Sequence, residues 1–363
     1  MGFEWFYGLP PRSDDMLELD GSAGGGQLVR SALSASVLTG RGFVLDGVRV
    51  DRPEPGLRPQ HLAAVDLAAS VCDATVEGAA PGSETLRFEP GPVSGGEVAV
   101  EVGTAGSLTL LVDVALPLAA RLDDPLVVTL GGGTDVAWSP PLDYLRRVKL
   151  PLLRRHGLVA ALDVDRRGFY PAGGGRLRLA VAPSDLRPLS LAARPTVTGL
   201  RVHSTATADL ADAEVAERQA AAAVESLAAA APDRPVVERT VASVDAVSTG
   251  SAVVVRADAR LDPGREAADS VPVAGFDALG ERGRPAEDVG SAAADSCLEW
   301  LAGEPAVDAH LADQLLVFLG LAGGRVLAPA LTDHVASNRD LLAAFGLDVD
   351  VAERADGRVR LVG

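Results

Sequence analysis

One histidine near the C-terminus has neighbours that suit a nucleophile. His334 lies in "LTDHVASN", where Ser337 and Asn338 are placed to cap the helix that follows. A neutral imidazole is a good nucleophile near pH 7, and no cysteine or second histidine is close enough in sequence to form a metal site with it. From the residues alone two interpretations stay open: a satisfied loop or core histidine, and a reactive one.

Three arginines lie on or beside a segment that cannot be helical. Arg49, Arg52 and Arg58 occur in "RVDRPEPGLRPQHL", which its prolines stiffen into an extended loop. Guanidinium groups on one rigid loop are typical of a phosphate or carboxylate clamp, and pairing with the many Asp and Glu side chains is the alternative. Gln60 and His61 add neutral hydrogen-bonding groups at the start of the next helix.

Glycine runs and a short helix supply further candidates. "GSAGGGQLVR" places three glycines directly before a helix, where free backbone amides can hold an anion, although a tight turn would need the same residues. "LGGGTDV" and "YPAGGGRLRL" have the same character. In "HLADQLL" a helix would bring His310 and Gln314 to one face, with Asp313 beside them.

Strands and helices that alternate must position these groups. Strands are predicted in "MLELD", "GFVLDGVRV", "EVAVEVG", "PLVVTLGGGTDV" and "GRLRLAVAP". Helices are predicted in "QLVRSALSASVLTG", "RPQHLAAVDLAASVCDA", "SLTLLVDVALPLAARL" and "PLDYLRRVKLPLLRRHG". Two strands and two helices in each stretch of roughly 80–100 residues favour repeated α+β units over a doubly wound sheet.

The pattern of predicted strands and helices changes between residues 185 and 276. Strand-like "PTVTGLRVHSTATADL" precedes a long alanine-rich helix and the strands "VVERTVASV" and "GSAVVVRAD", and proline-containing joints flank the block. We expect an inserted α/β domain, 185–276, within a core formed by 17–184 and 277–363. After it, helices are predicted in "FDALGERGRPAEDVGSAAADSCLEWLAG" and "VDAHLADQLLVFLGLAGG".

The charge and the cysteine content of the chain limit the classes of function that it can have. The 363-residue chain has a net charge of −17, and Lys149 is its only lysine. An acidic, lysine-poor surface is typical of proteins that stay soluble in molar salt, and GC-rich codon usage is the alternative explanation for the scarcity of lysine. Such a chain is a poor general binder of nucleic acid, but a local arginine cluster can still bind phosphates. Cys72 and Cys297 give no disulfide framework, which favours a cytoplasmic setting, and no membrane span is expected. Residues 1–16 are predicted to be an N-terminal extension.

Six segments in order resemble the RNA 3′-terminal phosphate cyclase family. They are "DGSAGGGQLVRSALSASVLTG", "RPEPGLRPQHLAAV", "GGGTDVAWSPPLDYLRRVKLPLL", "RRGFYPAGGGRLRL", "HLADQLLVFLGLAGG" and "DHVASN". The resemblance covers most of 17–363 and is faint in the insertion. It implies an α+β core of three repeated units, each a four-stranded sheet with two helices, of the kind also found in enolpyruvate transferases, plus the small inserted domain. It does not fix the oligomeric state, for which a homodimer is one expectation.

The same resemblance implies a reaction. His334, in the family's H-x-x-[ST]-N setting, would attack the α-phosphate of ATP and become adenylylated. The AMP would pass to an RNA 3′-terminal phosphate, and the adjacent 2′-hydroxyl would displace it to leave a 2′,3′-cyclic phosphate. ATP and a divalent metal, Mg²⁺ or Mn²⁺, are therefore the expected cofactors, and an RNA ending in a 3′-phosphate is the expected partner.

Roles for the other candidates follow from the resemblance. Asp313 would take the ribose hydroxyls beside Gln314, while His310 and Pro140 would cover the two faces of adenine. The family's phosphate-binding and RNA-end positions are matched by Arg30, Arg49, Arg52, Gln60 and Asn338. The family's opening G-E-G-G-G-Q is "SAGGGQ" here, without the glutamate associated with the metal. Asp113 stands where the family has glutamine, so Asp113 is expected to replace that glutamate in part.

Two rival functions remain. A ribosome-biogenesis branch of the same family keeps the fold without the histidine and would act as a non-catalytic RNA-binding protein. An enolpyruvyl-transferase-like enzyme would use the arginines on carboxylates. His334 and the "HLADQ" helix favour the cyclase over both.

Overall fold

The computed structural model describes residues 16–261 and 270–363 of the chain. In these residues the fold is mixed α+β, with sixteen strands in four four-stranded sheets and ten α-helices. The predicted extension lies outside the described residues except for Met16. No helix in these two ranges is long and apolar enough to cross a membrane.

Three of the sheets share one strand arrangement. The first contains β1 (Leu17–Asp20), β2 (Phe43–Asp46), β3 (Thr75–Glu77) and β4 (Leu86–Glu89). The second contains β5 (Gly96–Glu101), β6 (Leu126–Gly132), β7 (Ala160–Arg166) and β8 (Gly175–Val181). The third contains β9 (Leu189–Leu191), β14 (Gly324–Ala328), β15 (Asp350–Glu353) and β16 (Val359–Val362). In each, the first two strands in chain order are parallel, and the fourth pairs antiparallel with both the second and the third.

Helices connect the strands of these three sheets. The first sheet carries α1 (Gly26–Thr39) and α2 (Pro59–Cys72). The second carries α3 (Leu108–Ala115), followed by a 3-10 turn at Leu116–Ala120, and a segment made of α4 (Leu142–Tyr144), a π turn (Leu145–Lys149) and α5 (Leu150–Arg155). The third carries α8 (Ala309–Gln314), α9 (Leu316–Ala322) and α10 (Asp333–Ala344).

The fourth sheet has a different order, β11-β10-β12-β13. It consists of β10 (Thr196–Thr207), β11 (Val236–Val244), β12 (Ser251–Arg260) and β13 (Val271–Leu279), with α6 (Val215–Ala230) and α7 (Ala286–Gly303). The helix expected from residue 276 onward was wrong at its start, because β13 pairs with β12 as far as Leu279 and α7 begins only after Pro285. A strand that is buried along most of its length explains the apolar run that we had assigned to a helix.

A glycine and a proline mark one end each of α1 and α2, two helices that line the cleft described in the next subsection. α1 ends at Gly40, whose φ of 72° is a left-handed conformation that glycine adopts without strain. α2 begins with Pro59, which lacks only an amide that would be unsatisfied there. The helices predicted for these segments are confirmed. α1 packs against α2, α3 and α10, so its N-terminus is surrounded by the segments that carry most of the candidate residues.

Candidate active site

One cleft of about 560 Å³ brings the predicted site residues together. All of them line it: Arg30, Arg49, Arg52, Gln60, Asp113, Pro140, His310, Asp313, Gln314, His334 and Asn338. Its walls come from the start of α1, the loop before α2, α3, the π turn, α8 and α10. Helices and loops that connect the strands of the first, second and third sheets therefore form one surface.

His334 lies in the first turn of α10, with its ring exposed to the cleft. Thr332 caps this helix, because its hydroxyl accepts a hydrogen bond from the amide of Val335 at 3.2 Å. The Nδ1 atom of His334 is hydrogen-bonded to Oε1 of Gln27. Since an amide oxygen only accepts, Nδ1 carries a proton, and in the neutral form of the ring the lone pair is then on Nε2. This tautomer presents Nε2 as the nucleophilic nitrogen.

Gln27 also donates a hydrogen bond from Nε2 to Oδ1 of Asp313. A carboxylate oxygen accepts, so this contact fixes which end of the Gln27 amide faces each neighbour. Burial raises the pKa of Asp313, while the attraction of His334, the Gln27 hydrogen bond and Arg30 act in the opposite direction. Gln27, the glutamine of the "GGGQ" motif, was not among the site residues predicted from the sequence.

Two side-chain oxygens in the walls of the cleft lack a partner. Oε1 of Gln314 and Oδ1 of Asn338 are buried, and neither accepts a hydrogen bond in the part of the chain that the structure describes. Buried polar atoms are nearly always satisfied, so these two oxygens are acceptors whose partner the described residues do not supply.

The arginine loop keeps one guanidinium free for a ligand. Arg49 Nη1 donates to the carbonyls of Glu54 at 3.0 Å and Gly56 at 2.9 Å, and Arg58 is paired with Glu54 at 2.6 Å. The side chain of Arg52 is exposed and has no hydrogen bond or ion pair within residues 16–261 and 270–363. Burial lowers the pKa of Arg49, and repulsion by Arg58 and Arg52 lowers it further, as expected where cations converge without an anion.

His61 lies beneath the glycine run and was not selected from the sequence as a site residue. Its Nδ1 accepts a hydrogen bond from the amide of Arg58 at 3.0 Å. Its pKa is lowered to about 3, first by burial and then by Arg30, Arg49 and Arg58. The ring is therefore neutral with a proton on Nε2. A Cβ on Gly26 would lie 1.8 Å from that Nε2, which explains why this position is glycine.

The floor of the cleft contains an ion pair between Asp113 and Lys149. Nζ of Lys149 lies 2.6 Å from Oδ1 of Asp113, and the lysine side chain is buried. Lys149 is the last residue of the π turn, directly before α5, whose first turn contains Pro151. Proline has no amide to donate, so the regular helical hydrogen-bond pattern is interrupted here. Nearby, burial lowers the pKa of Arg30, and Asp113 and Asp313 oppose this shift.

A buried acid fixes the wall that carries His310. Asp308 caps α8 by accepting from the amide of Leu311 at 2.9 Å, and it also accepts from the hydroxyl of Tyr144 at 2.8 Å and the amide of Gly275 at 2.9 Å. The Tyr144 ring meets the His310 ring edge-on, with centroids 5.8 Å apart. Pro140 is fixed separately, because its carbonyl accepts from the Thr109 hydroxyl at 2.9 Å.

The described residues contain no group of three or more His, Cys, Asp or Glu side chains that could hold a metal ion. Asp113, which we expected near a metal, is engaged by Lys149. A divalent cation that arrives with a nucleotide needs only one or two protein carboxylates, because phosphate oxygens and water supply its other ligands. The cleft fits such an ion better than a permanently bound one.

Comparison with known proteins gives consistent results along the chain. The sequence profile described as RNA 3′-terminal phosphate cyclase matches residues 22–351. The RNA 3′-terminal phosphate cyclase of Halobacterium salinarum is 48% identical over 354 residues, which cover 94% of this chain and 98% of that protein. The proteins of the same name from Thermococcus gammatolerans and Ectopseudomonas mendocina are 40% and 39% identical, covering 96% and 93% of this chain and 98% and 94% of their own lengths.

Proposed function

The chain belongs to the RNA 3′-terminal phosphate cyclase family, and from this membership we propose that it is a ligase-type enzyme that converts an RNA 3′-terminal phosphate to a 2′,3′-cyclic phosphate with ATP. The observation that carries the proposal is the contact between Gln27 and His334, which engages Nδ1 and leaves Nε2 of His334 without a partner among the described residues, in a cleft that also holds arginines. A non-catalytic relative would have no need of that contact.

The reaction would proceed in three displacements. Nε2 of His334 attacks the α-phosphorus of ATP, the bond to the bridging oxygen breaks, and pyrophosphate leaves. An oxygen of the RNA 3′-phosphate then attacks the same phosphorus and breaks the P–N bond, which gives RNA(3′)pp(5′)A. The 2′-hydroxyl finally attacks the 3′-phosphorus, loses its proton, and releases AMP.

The cleft offers a distinct group for each part of the substrates. Asp313 and Gln314 would bind the ribose and base of ATP, with His310 and Pro140 on the faces of adenine. The phosphates and the RNA end would be bound by Arg30, Arg49, Arg52, Gln60 and Asn338. The free guanidinium of Arg52 supports the assignment to phosphates. The unpaired Oδ1 of Asn338 is an acceptor, so only the amide nitrogen of Asn338 would bind a phosphate. Guanidinium groups suit this task because they stabilise the charge that develops on the transferring phosphoryl group.

A divalent ion, Mg²⁺ or Mn²⁺, would supply charge neutralisation on the triphosphate. Asp113 is the carboxylate that we proposed for it, but the ion pair with Lys149 does not support that role, because the ammonium already neutralises the carboxylate. Phosphate oxygens would then be the main ligands, with Asp313 the other carboxylate on the cleft.

For the architecture we propose three β-α-β-α-β-β repeats, of which the third is interrupted by the inserted domain. The shared strand order of three sheets supports the repeats, and the different order of the fourth supports the insertion. Our proposed division is a core of 17–184 and 277–363 with an insert of 185–276, but two contacts favour different bounds for the insert. β9 pairs with β14 of the third sheet, which would start the insert after residue 191, and the packing of α7 on α6 would extend it to about residue 303. A cytoplasmic setting is supported by two free, buried cysteines, and a homodimer is a proposal for light scattering to test.

The deciding experiment uses ATP labelled at the α-phosphate. The protein is incubated with it in molar KCl and Mg²⁺ or Mn²⁺, then run on a denaturing gel. We expect label that is acid-labile and alkali-stable, that is lost in His334→Ala and kept in Asp333→Asn, a control one residue away on the exposed side of the same helix turn. A folded protein that binds ATP without becoming labelled would favour the RNA-binding relative.

A further inference from the structure

Two aromatic side chains are exposed in a protein that has few of them. Aromatic residues form 4% of the chain. Trp138 is 100% exposed and Tyr170 is 74% exposed, and no other Phe, Trp or Tyr in residues 16–261 and 270–363 is exposed. An indole that could be buried but is held entirely in solvent marks a surface that contacts something else.

The backbone at Trp138 is held in an uncommon conformation. Its φ is 63°, a left-handed value that a bulky side chain rarely adopts. The flanking segment is fixed at several points: the Ser139 hydroxyl donates to the carbonyl of Val136 at 3.1 Å, and buried Asp135 accepts from Arg167 at 3.0 Å. Strain of this kind persists where the surroundings impose it, and it is concentrated at ligand-binding segments. The indole is therefore presented by a rigid loop.

Trp138 and Tyr170 lie on two segments that pair with each other. Asp135 and Phe169 form a bridge between two parallel segments, and the two exposed aromatics follow it by three residues and by one. Trp138 lines the mouth of the cleft that contains the arginines and His334, whereas Tyr170 does not line that cleft. One exposed ring is therefore at the cleft, and the other is exposed outside it on the segment joined to the first by this bridge.

We infer that Trp138 and Tyr170 form a stacking platform for the last bases of the RNA whose 3′-phosphate enters the cleft. The inference rests on the proposed function. A single nucleotide in the cleft would meet Trp138 alone, so a ligand that reaches both rings must be a chain. Aromatic rings bind bases regardless of sequence, because every base has a π face.

Charge makes such a platform necessary in this protein. At low salt a net charge of −17 opposes the approach of RNA. Stacking does not depend on counterion release, so it keeps its strength at salt concentrations that suppress phosphate contacts. The platform would therefore supply affinity where electrostatic attraction does not.

The test separates RNA from ATP. Its kinetic arm measures KM for a short oligoribonucleotide with a 3′-phosphate. We expect Trp138→Ala and Tyr170→Ala each to raise that KM about tenfold, while Trp138→Phe and Tyr170→Phe, which keep a ring, change it little. Adenylylation of His334 in the absence of RNA should be unaffected. Val237→Ala, at an exposed apolar position on β11, is the matched control and should leave KM unchanged.

In the spectroscopic arm the protein is titrated with the same oligonucleotide or with ATP, and tryptophan fluorescence is recorded. The fluorescence of the Trp138→Phe variant in the same titration is subtracted, so that only the signal of Trp138 remains. Quenching by the oligonucleotide supports the platform. Quenching by ATP alone would assign the indole to adenine and overturn the inference, as would an unchanged KM in both alanine variants. If no His334 adenylate forms, the proposed function fails, and the oligonucleotide titration still decides whether the platform binds RNA.

Discussion

Gln27 makes the chemistry of His334 dependent on a residue at the other end of the chain. Its amide lies between the imidazole and the carboxylate of Asp313, and it therefore sets both the ring tautomer and the ring orientation. A nucleophile gains from such positioning because the reacting atoms must already be close and aligned. Gln27 is thus a positioning residue for whichever bond His334 forms.

We predict that Gln27→Leu slows adenylylation of His334 by about 100-fold, because the leucine fills the space but cannot hold Nδ1. Single-turnover labelling with ATP in excess measures the rate. Gln27→Glu offers an oxygen to the imidazole but brings a second carboxylate against Asp313, so it should be slow as well. Equal rates in wild type and Gln27→Leu would show that the contact has no catalytic role.

His61 links the cleft to the pH dependence of stability. Its pKa is about 3 in the folded protein and about 6.5 in the unfolded chain. As pH falls below 6.5 the unfolded chain takes up a proton that the folded protein refuses, so folding loses free energy. The stability that depends on a neutral His61 is fully present above pH 6.5, and it is lost progressively as the pH falls toward 3.

His61→Asn should remove this dependence, because Asn accepts the Arg58 amide hydrogen bond but does not titrate. The free energy of unfolding, measured with urea at several pH values, should fall less steeply in the variant below pH 6.5, by up to about 1.4 kcal/mol per pH unit. Parallel curves for the two proteins would mean that His61 is protonated in the folded state.

At the scale of elements, α8 depends on contacts from outside itself. A six-residue helix is not stable alone, and α8 is held by the Asp308 cap, which also binds Tyr144 of α4 and the backbone of β13. One carboxylate thus joins the cleft wall to the second and fourth sheets. The position of His310 follows from this junction.

Tyr144→Phe should lower the free energy of unfolding by about 1–3 kcal/mol, because it leaves the buried Asp308 carboxylate short of a donor. It should also weaken ATP binding, since α8 carries Asp313 and Gln314. Thr85→Val is the matched control: it removes a hydroxyl-to-carboxylate bond of 2.6 Å at an exposed site, and should cost less than about 1 kcal/mol. Similar losses of unfolding free energy in both variants would show that the hydrogen bond to buried Asp308 stabilises the fold no more than the exposed bond of Thr85.

The same elements show what the sequence can and cannot predict. α1 and α2 were predictable because glycine and proline mark their ends. β3 and β4 were missed because they are three and four residues long and partly polar. The cleft residues came from helix spacing and from the resemblance. Gln27 could not be found that way, since its partners are 286 and 307 residues distant and only the folded chain joins them.

For the whole molecule the dominant property is its charge of −17. Carboxylates outnumber cations by 50 to 33, so the compact state is destabilised by self-repulsion that salt can screen. The cleft is lined by helices and loops that connect the strands of three of the four sheets. Repulsion that destabilises any of these three sheets therefore also destabilises the active site.

The thermal unfolding midpoint at pH 7 should rise by about 10 °C between about 0.1 M and about 3 M KCl, as repulsion between carboxylates is screened. Differential scanning calorimetry measures the midpoint. Near pH 4.7, where the net charge approaches zero, the same addition of salt should raise it far less. An equal rise at both pH values would assign the effect to hydrophobic burial.

The single lysine of the chain is also one of its buried side chains. A protease that cleaves only after lysine would find one peptide bond to cut, between Lys149 and Leu150, and that bond lies inside a helical segment at the floor of the cleft. Cleavage into residues 1–149 and 150–363 would therefore occur only when this segment opens. The native sequence thus contains its own reporter of local opening, readable on a gel as two fragments, and a bound nucleotide would slow their appearance.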